Sequence, residues 1–160
     1  MFGFFDRTST PSIRQIGPEW SRDCARIHAQ CFARGWQSTE FESLLADRQV
    51  LADAAINAKT RHMSGFVLSR KAADEAEILT IAVAPSSRRA GIGSSLLSTH
   101  LGRLAAAGTK TLFLEVDGEN QAALTLYAGF GFRRVGQRKA YYPRPGEAGA
   151  TAIIMRRDLR

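Results

Sequence analysis

Histidine and cysteine are both scarce, three and two in 160 residues, and their placement excludes most metal chemistry. His28, His62 and His100 lie far apart, and no second His or Cys stands at ligand spacing, so no metal site is expected. Cys24 and Cys31 fit neither a C-x-x-C redox pair nor a zinc knuckle. They fall on a helical stripe with Trp20 and Ile27, where both thiols are expected to be core groups. No uncharged apolar run approaches the ~18 residues that cross a bilayer. The opening Met1–Phe5 is apolar but short, lacks a basic start and meets Asp6 and Arg7 at once, unlike a secretory leader. A cytoplasmic protein without metal or membrane is the expectation, as monomer or weak dimer.

The composition, 44% hydrophobic and 23% charged, suits one globular domain over residues 1–160, with 1–11 a loosely ordered extension. A net charge of +7 raises the question of nucleic acid. The basic residues are scattered, however: Arg88-Arg89, Arg133-Arg134, Arg138-Lys139 and Arg156-Arg157. No basic run alternates with aromatics as a stacking platform would. Direct nucleic-acid binding is not expected, and a polyanionic ligand accounts for the surplus equally well.

Periodicity predicts strands at Ser12–Ile16, Val50–Ile56, Met63–Ser69, Ile78–Ala84, Thr111–Val116, Arg133–Tyr141 and Ala150–Arg157. The second of these is weakened by its alanines. Helices are predicted from Pro18 to Phe32, from a cap at Ser38 or Thr39 through Phe41, Leu44 and Leu45, from Ile92 to Leu104, and from Asn120 to Ala128. His100 falls near the apolar stripe of the third helix and reads as packed. The order β-α-α-β-β-β-α-β-α-β-β implies an α/β (α+β) fold, a mixed sheet of about seven strands with helices on both faces.

The sharpest local signal is the stretch from Ile81, Ala82 and Val83 through Pro85 to Arg88, Arg89, Ala90, Gly91, Ile92, Gly93 and Ser94. A strand runs into a turn whose glycines open a helix. The first N–H groups of a helix have no internal acceptor, and glycine lets a bulky anion come close, so such a turn can cradle a pyrophosphate. A Walker loop would need a lysine that is missing, and a dinucleotide fingerprint would need glycine where Leu96 stands. The glycines alone leave open a tight turn and nothing more.

Arg88-Arg89-Ala90-Gly91-Ile92-Gly93 resembles the Q/R-x-x-G-x-G/A signature of the GNAT N-acetyltransferases. The resemblance runs from about Ser12 to Arg157 and is strongest to the ribosomal-protein alanine N-acetyltransferases (RimI type). It is carried by His28–Trp36, Glu77–Pro85, Leu114–Asn120, Ala123–Tyr127, Gly129–Phe132 and Tyr141-Tyr142-Pro143. Gly35 departs from the proline usual there. The resemblance implies the GNAT fold, acetyl-CoA as cosubstrate, and the N-terminal amine of a protein as acceptor, first an alanine on a small-subunit ribosomal protein. The same fold acting on a small amine or a lysine side chain, or a non-catalytic module that senses CoA or binds the ribosome, are the alternatives.

An α-amine holds its proton with an ordinary pKa of about 7.7–8.0, so a carboxylate can act as general base. The resemblance implies Glu115 as that base and Tyr127 as the acid that protonates the departing thiolate. The residues alone leave two other readings open: Glu115 as a strand-end carboxylate paired with an arginine, and Tyr127 as a packed phenol. Glu77 is a rival base. Asn120 can cap its helix, and the resemblance adds a contact with the pantetheine arm, which the backbone of Ile81 and Val83 would meet like an added strand. Trp36, Glu77, Tyr141 and Tyr142 are candidates for the acceptor side.

Overall fold

The computed structural model describes residues 10–139 and 151–159. The strands are β1 (Ser12–Gln15), β2 (Val50–Ile56), β3 (Met63–Ala72), β4 (Glu75–Val83), β5 (Thr111–Asp117), β6 (Arg133–Lys139) and β7 (Thr151–Asp158). The helices are α1 (Ser21–Cys31), α2 (Ser38–Ala46), α3 (Ile92–Ala106) and α4 (Gln121–Gly129). The strands form one seven-stranded sheet in the order β1-β2-β3-β4-β5-β7-β6. Every neighbouring pair is antiparallel except β4–β5. The α/β order read from the sequence therefore holds element by element, and no described helix is long and apolar enough to cross a membrane.

Two apolar cores flank the sheet. On one face α3 and α4 bring Ile92, Leu96, Leu97, Leu104, Leu124 and Tyr127 against Val67, Leu112 and Leu114. On the other, α1 and α2 bury Cys24, Ile27, Phe41 and Leu45 against Phe66, Leu68 and Ala82. The alanine-rich Val50–Ile56 is a full strand because both of its faces are covered. Ala52 and Ala54 meet the α1 side while Ala55 meets the α3 side, and small side chains suffice where helices approach from above and below.

Three local expectations change. The chain from Pro18 to Trp20 is a 3₁₀ turn that precedes α1 rather than its first residues. The cap of α2 is Gln37, not Ser38 or Thr39, because Glu40 reaches back to accept from the Gln37 N–H at 3.3 Å, one half of a capping box. Cys24 is fully buried, but Cys31 is only partly so. It ends α1 beside the turn after β4, where its thiol donates to the Val83 carbonyl at 3.3 Å.

Beneath α3 lies a polar cluster with no local signal in the sequence. His100 Nδ1 is 2.8 Å from Asp53 Oδ2 and His100 Nε2 is 2.7 Å from Ser69 Oγ, all three residues being fully buried. An Nδ1–H that donates to Asp53 leaves Nε2 to accept from the Ser69 hydroxyl. Arg103 Nε lies 2.7 Å from the other Asp53 oxygen, though its N–H is not aimed at it, so that contact is an ion pair rather than a hydrogen bond. Ser, His and Asp stand in the sequence of contacts that a hydrolase uses, but with no exposed surface they can meet no substrate. They pin α3 to β2 and β3. Breaking a buried charge pair by removing one partner costs several kcal/mol, and the partial exposure of Arg103 limits the penalty. Urea unfolding should show Asp53→Ala destabilised by about 3 kcal/mol and Ser69→Ala by about 1–3 kcal/mol.

Candidate active site

The site begins where the β4–β5 ladder stops. The two strands pair in parallel only from Glu75↔Thr111 to Ile78↔Leu114, although β4 continues to Val83 and β5 to Asp117. An irregularity in the β3–β4 register sits at this point, between Leu68 and Ser69, and such bulges turn a strand away from its neighbour. Ala84 N–H bonds Ser64 on the β3 side at 2.8 Å. By the alternation of an antiparallel ladder, the peptide groups of Ile81 and Val83 then face the other way, into the gap. The Val83 carbonyl is not idle there, since Arg88 Nε donates to it at 3.2 Å alongside Cys31.

At the mouth of this gap the chain turns through Pro85–Ser87 and takes left-handed φ values at Arg89 (68°) and Gly91 (76°) before entering α3. The first helical bond runs from Ser95 N–H to Gly91 C=O at 3.0 Å. The amides of Ile92, Gly93 and Ser94 thus point out of the helix without an intrahelical acceptor. Glycine at 91 follows from its φ. Glycine at 93 does not follow from packing, for a Cβ there would meet only Leu126 Cδ2 at 3.7 Å and Val83 Cγ2 at 3.9 Å, which are ordinary contacts. The room beside Gly93, with exposed Arg88, Arg89 and Ala90 along the turn, suits a pyrophosphate.

Glu115 lies on β5 with Phe113 and Asp117, on the face opposite the buried Leu112, Leu114 and Val116. Register places Glu77 beside Phe113, so both candidate bases lie on the same face of the sheet. Glu77 is exposed. Glu115 is exposed too, and it is tied: Arg138 Nε donates to its Oε1 at 2.8 Å and Nη2 to its Oε2 at 2.7 Å. The arginine pairing left open by the sequence is therefore real. The hydrogen bonds from Arg138, reinforced by its charge, hold the carboxyl below its ordinary pKa against an opposing contribution from burial. The sequence could not name Arg138, because β7 lies between β5 and β6 and alternation along a strand does not reveal that order.

Tyr127 is on α4, buried in the core on the other side of β5 and edge-on to Phe132 at 5.7 Å. Burial drives its phenol pKa upward, which keeps it protonated at neutral pH. Among the described residues no contact joins Tyr127 to Glu115; they lie on opposite sides of β5. Asn120 is the N-cap of α4, its side-chain oxygen accepting from Ala123 N–H at 3.1 Å. Tyr141 and Tyr142 lie outside the described residues. Among the described residues no cluster of metal-ligating side chains occurs.

Trp36 stands on the connection between α1 and α2, held by a residue that the sequence reading passed over. His28 is buried and stacked between Phe32 (4.3 Å) and Trp36 (4.7 Å), with Phe41 edge-on at 5.5 Å. Its Nδ1 accepts the Trp36 backbone N–H at 3.1 Å, which requires the neutral ring. Burial lowers its pKa and Glu40 partly offsets this.

Comparison with known proteins is consistent with this arrangement. Residues 21–132 match the Acetyltransferase (GNAT) family. The ribosomal protein bS18-alanine N-acetyltransferase of Escherichia coli strain K12 is 34% identical over 129 residues, covering 81% of this chain and 84% of that enzyme. The crystal structure of the ribosomal-protein-S18-alanine N-acetyltransferase from Escherichia coli superposes with a TM-score of 0.84 at 29% identity, over 92% of this chain and 93% of that one. Arabidopsis thaliana NAA60, solved in complex with acetyl-CoA, shares the fold at a TM-score of 0.80 and 19% identity, covering 94% and 99% of the two chains.

The neutral His28 makes the α1–α2 connection sensitive to acid. Its folded pKa is depressed, so its contribution is complete above the unfolded value of about 6.5 and is lost as pH falls towards the folded value. Chemical denaturation from about pH 7 to pH 5 should show stability falling by up to about 1.4 kcal/mol per pH unit from this one group. The fall should be shallower in His28→Phe, which keeps a ring in the stack but cannot titrate.

Proposed function

The chain belongs to the acetyltransferase (GNAT) family, and from that premise we propose that it acetylates the N-terminal amine of a protein, first an alanine on a ribosomal protein. The identity to the Escherichia coli bS18-alanine enzyme over four-fifths of the chain carries the choice of acceptor. The interrupted β4–β5 ladder beside the glycine turn supports the choice of donor. The helix-terminal amides and the arginines of the turn suit its diphosphate, and the strand backbone of Ile81 and Val83 suits its pantetheine arm, with Cys31 and Arg88 now occupying the Val83 carbonyl. When bound, acetyl-CoA supplies a thioester.

Glu115 takes the proton from the acceptor's α-ammonium, directly or through a water. The amine nitrogen then bonds to the acyl carbon as the carbon–sulfur bond breaks, Tyr127 gives its proton to the departing sulfur, and the second proton that the nitrogen loses returns through solvent to the Tyr127 phenolate. Burial suits Tyr127 to that role, because it stays a phenol until a thiolate develops beside it. Asn120 combines its cap with a contact to the arm. Trp36, Glu77, Tyr141 and Tyr142 border the acceptor, and the enzyme works in the cytoplasm as a single N-acetyltransferase domain. A backbone N–H on β4 facing the gap is the donor for the developing oxyanion.

Acetyl transfer to alanine-starting peptides, set against polyamines and lysine side chains, tests the acceptor. Free amines acetylated faster than the peptides would overturn it. Glu115→Gln and Tyr127→Phe should each lower kcat by about a hundredfold or more while leaving affinity for acetyl-CoA unchanged. Gly93→Ala should separate binding from folding. In the first turn of α3 the added methyl meets only ordinary contacts and should leave stability unharmed, yet isothermal titration should show acetyl-CoA binding weakened, because the new methyl stands where the diphosphate comes closest.

A further inference from the structure

Both oxygens of Glu115 are engaged by one guanidinium, although Arg138 is on a strand that does not touch β5. Glu115 pairs with Ile154 on β7, and Ile154 pairs with Gly136 on β6. Arg138 lies two residues further on, in the row of Ala152 and Asp117, so it reaches Glu115 diagonally over β7, past the small side chain of Ala152. The guanidinium therefore lies across the exposed sheet face to form the fork. Around it stand Asp117 on β5, Arg156 on β7, itself held by Asp158 at 3.0 Å and lying over the Phe113 ring, and Glu77 on β4.

The lone pairs that Arg138 occupies are the ones a base needs. An arginine never gives up its proton, so it keeps Glu115 ionised without neutralising it. An incoming α-ammonium is a second cation with N–H donors aimed at the same oxygens. The strength of the pair decides between a lock and a loose hold. Side-chain exposure is 57% for Arg138 and 36% for Glu115, and solvent-exposed ion pairs are weak. We propose that Arg138 is a placeholder for the acceptor's ammonium, a positioning residue that aims the Glu115 carboxylate across the open face and yields an oxygen when the amine arrives.

This inference rests on Glu115 being the base, and the experiment separates the two. Arg138→Gln and Glu115→Gln are compared with the unaltered protein, using an alanine-starting peptide and acetyl-CoA. The Glu115 carboxyl is followed by NMR in ¹³C-glutamate-labelled protein. In Arg138→Gln the carboxyl titration should move up towards the ordinary value of about 4.3. The peptide KM should fall by up to about fivefold, the most that competition with an exposed pair can impose. The KM for acetyl-CoA should not change, and Arg138→Lys should restore part of the downward titration shift. An unmoved titration, or a peptide KM that is unchanged or raised in Arg138→Gln while Glu115→Gln is inactive, overturns the placeholder and leaves the base intact. Full activity in Glu115→Gln overturns both.

Discussion

Parallel pairing between β4 and β5 is the constraint on which the rest is built. The two strands share four residue pairs and then part, leaving strand backbone that no other strand satisfies. Buried peptide groups without partners are costly, and here Cys31 and Arg88 cover the Val83 carbonyl in the protein's own way. The site proposed above is arranged around that opening. The glycine turn stands at its mouth, Tyr127 approaches from the α4 side, and Glu115 lies on the open face beyond the last paired residue of β5. A sheet paired along its whole length would have the same core and no place for a thioester.

The two faces of the β5–β7–β6 half are asymmetric for a physical reason. One face carries Leu112, Leu114, Ile153 and Met155 into the core beneath α3 and α4. The other carries Phe113, Glu115, Ile154, Arg156 and Arg138 and is half-buried or exposed. Charge on that open face is arranged in close pairs, Arg138 with Glu115 and Arg156 with Asp158. A basic surplus over the whole chain thus coexists with an open face where Glu77 and Asp117 stand beside those pairs.

The elements were legible in the sequence because their signals are local. The glycine turn, the α3 stripe and the Leu112–Val116 alternation each specify one element and one face. What was hidden depends on contacts between residues distant in the chain. Arg138 meets Glu115 because β7 is inserted between their strands. Asp53, Ser69 and His100 meet because α3 crosses β2 and β3, and an apolar stripe with one histidine in it carries no sign of its partners. His28 reads as a turn of helix until Phe32, Trp36 and Phe41 close around it. Gln37 displaced the expected serine and threonine caps because the acid three residues on supplies the bond.

The place of β7 has a consequence for how this protein is made. β7 follows β6 in the chain, yet it lies inside the sheet, hydrogen-bonded on one side to β5 and on the other to β6. While a ribosome is still extending the chain, β5 and β6 are two separate raw edges with nothing between them. The glutamate and arginine that meet across β7 cannot do so until that strand has emerged and slotted in. The nascent polypeptide can assemble its glycine turn early, but the face that carries Glu115 and Arg138 is completed last.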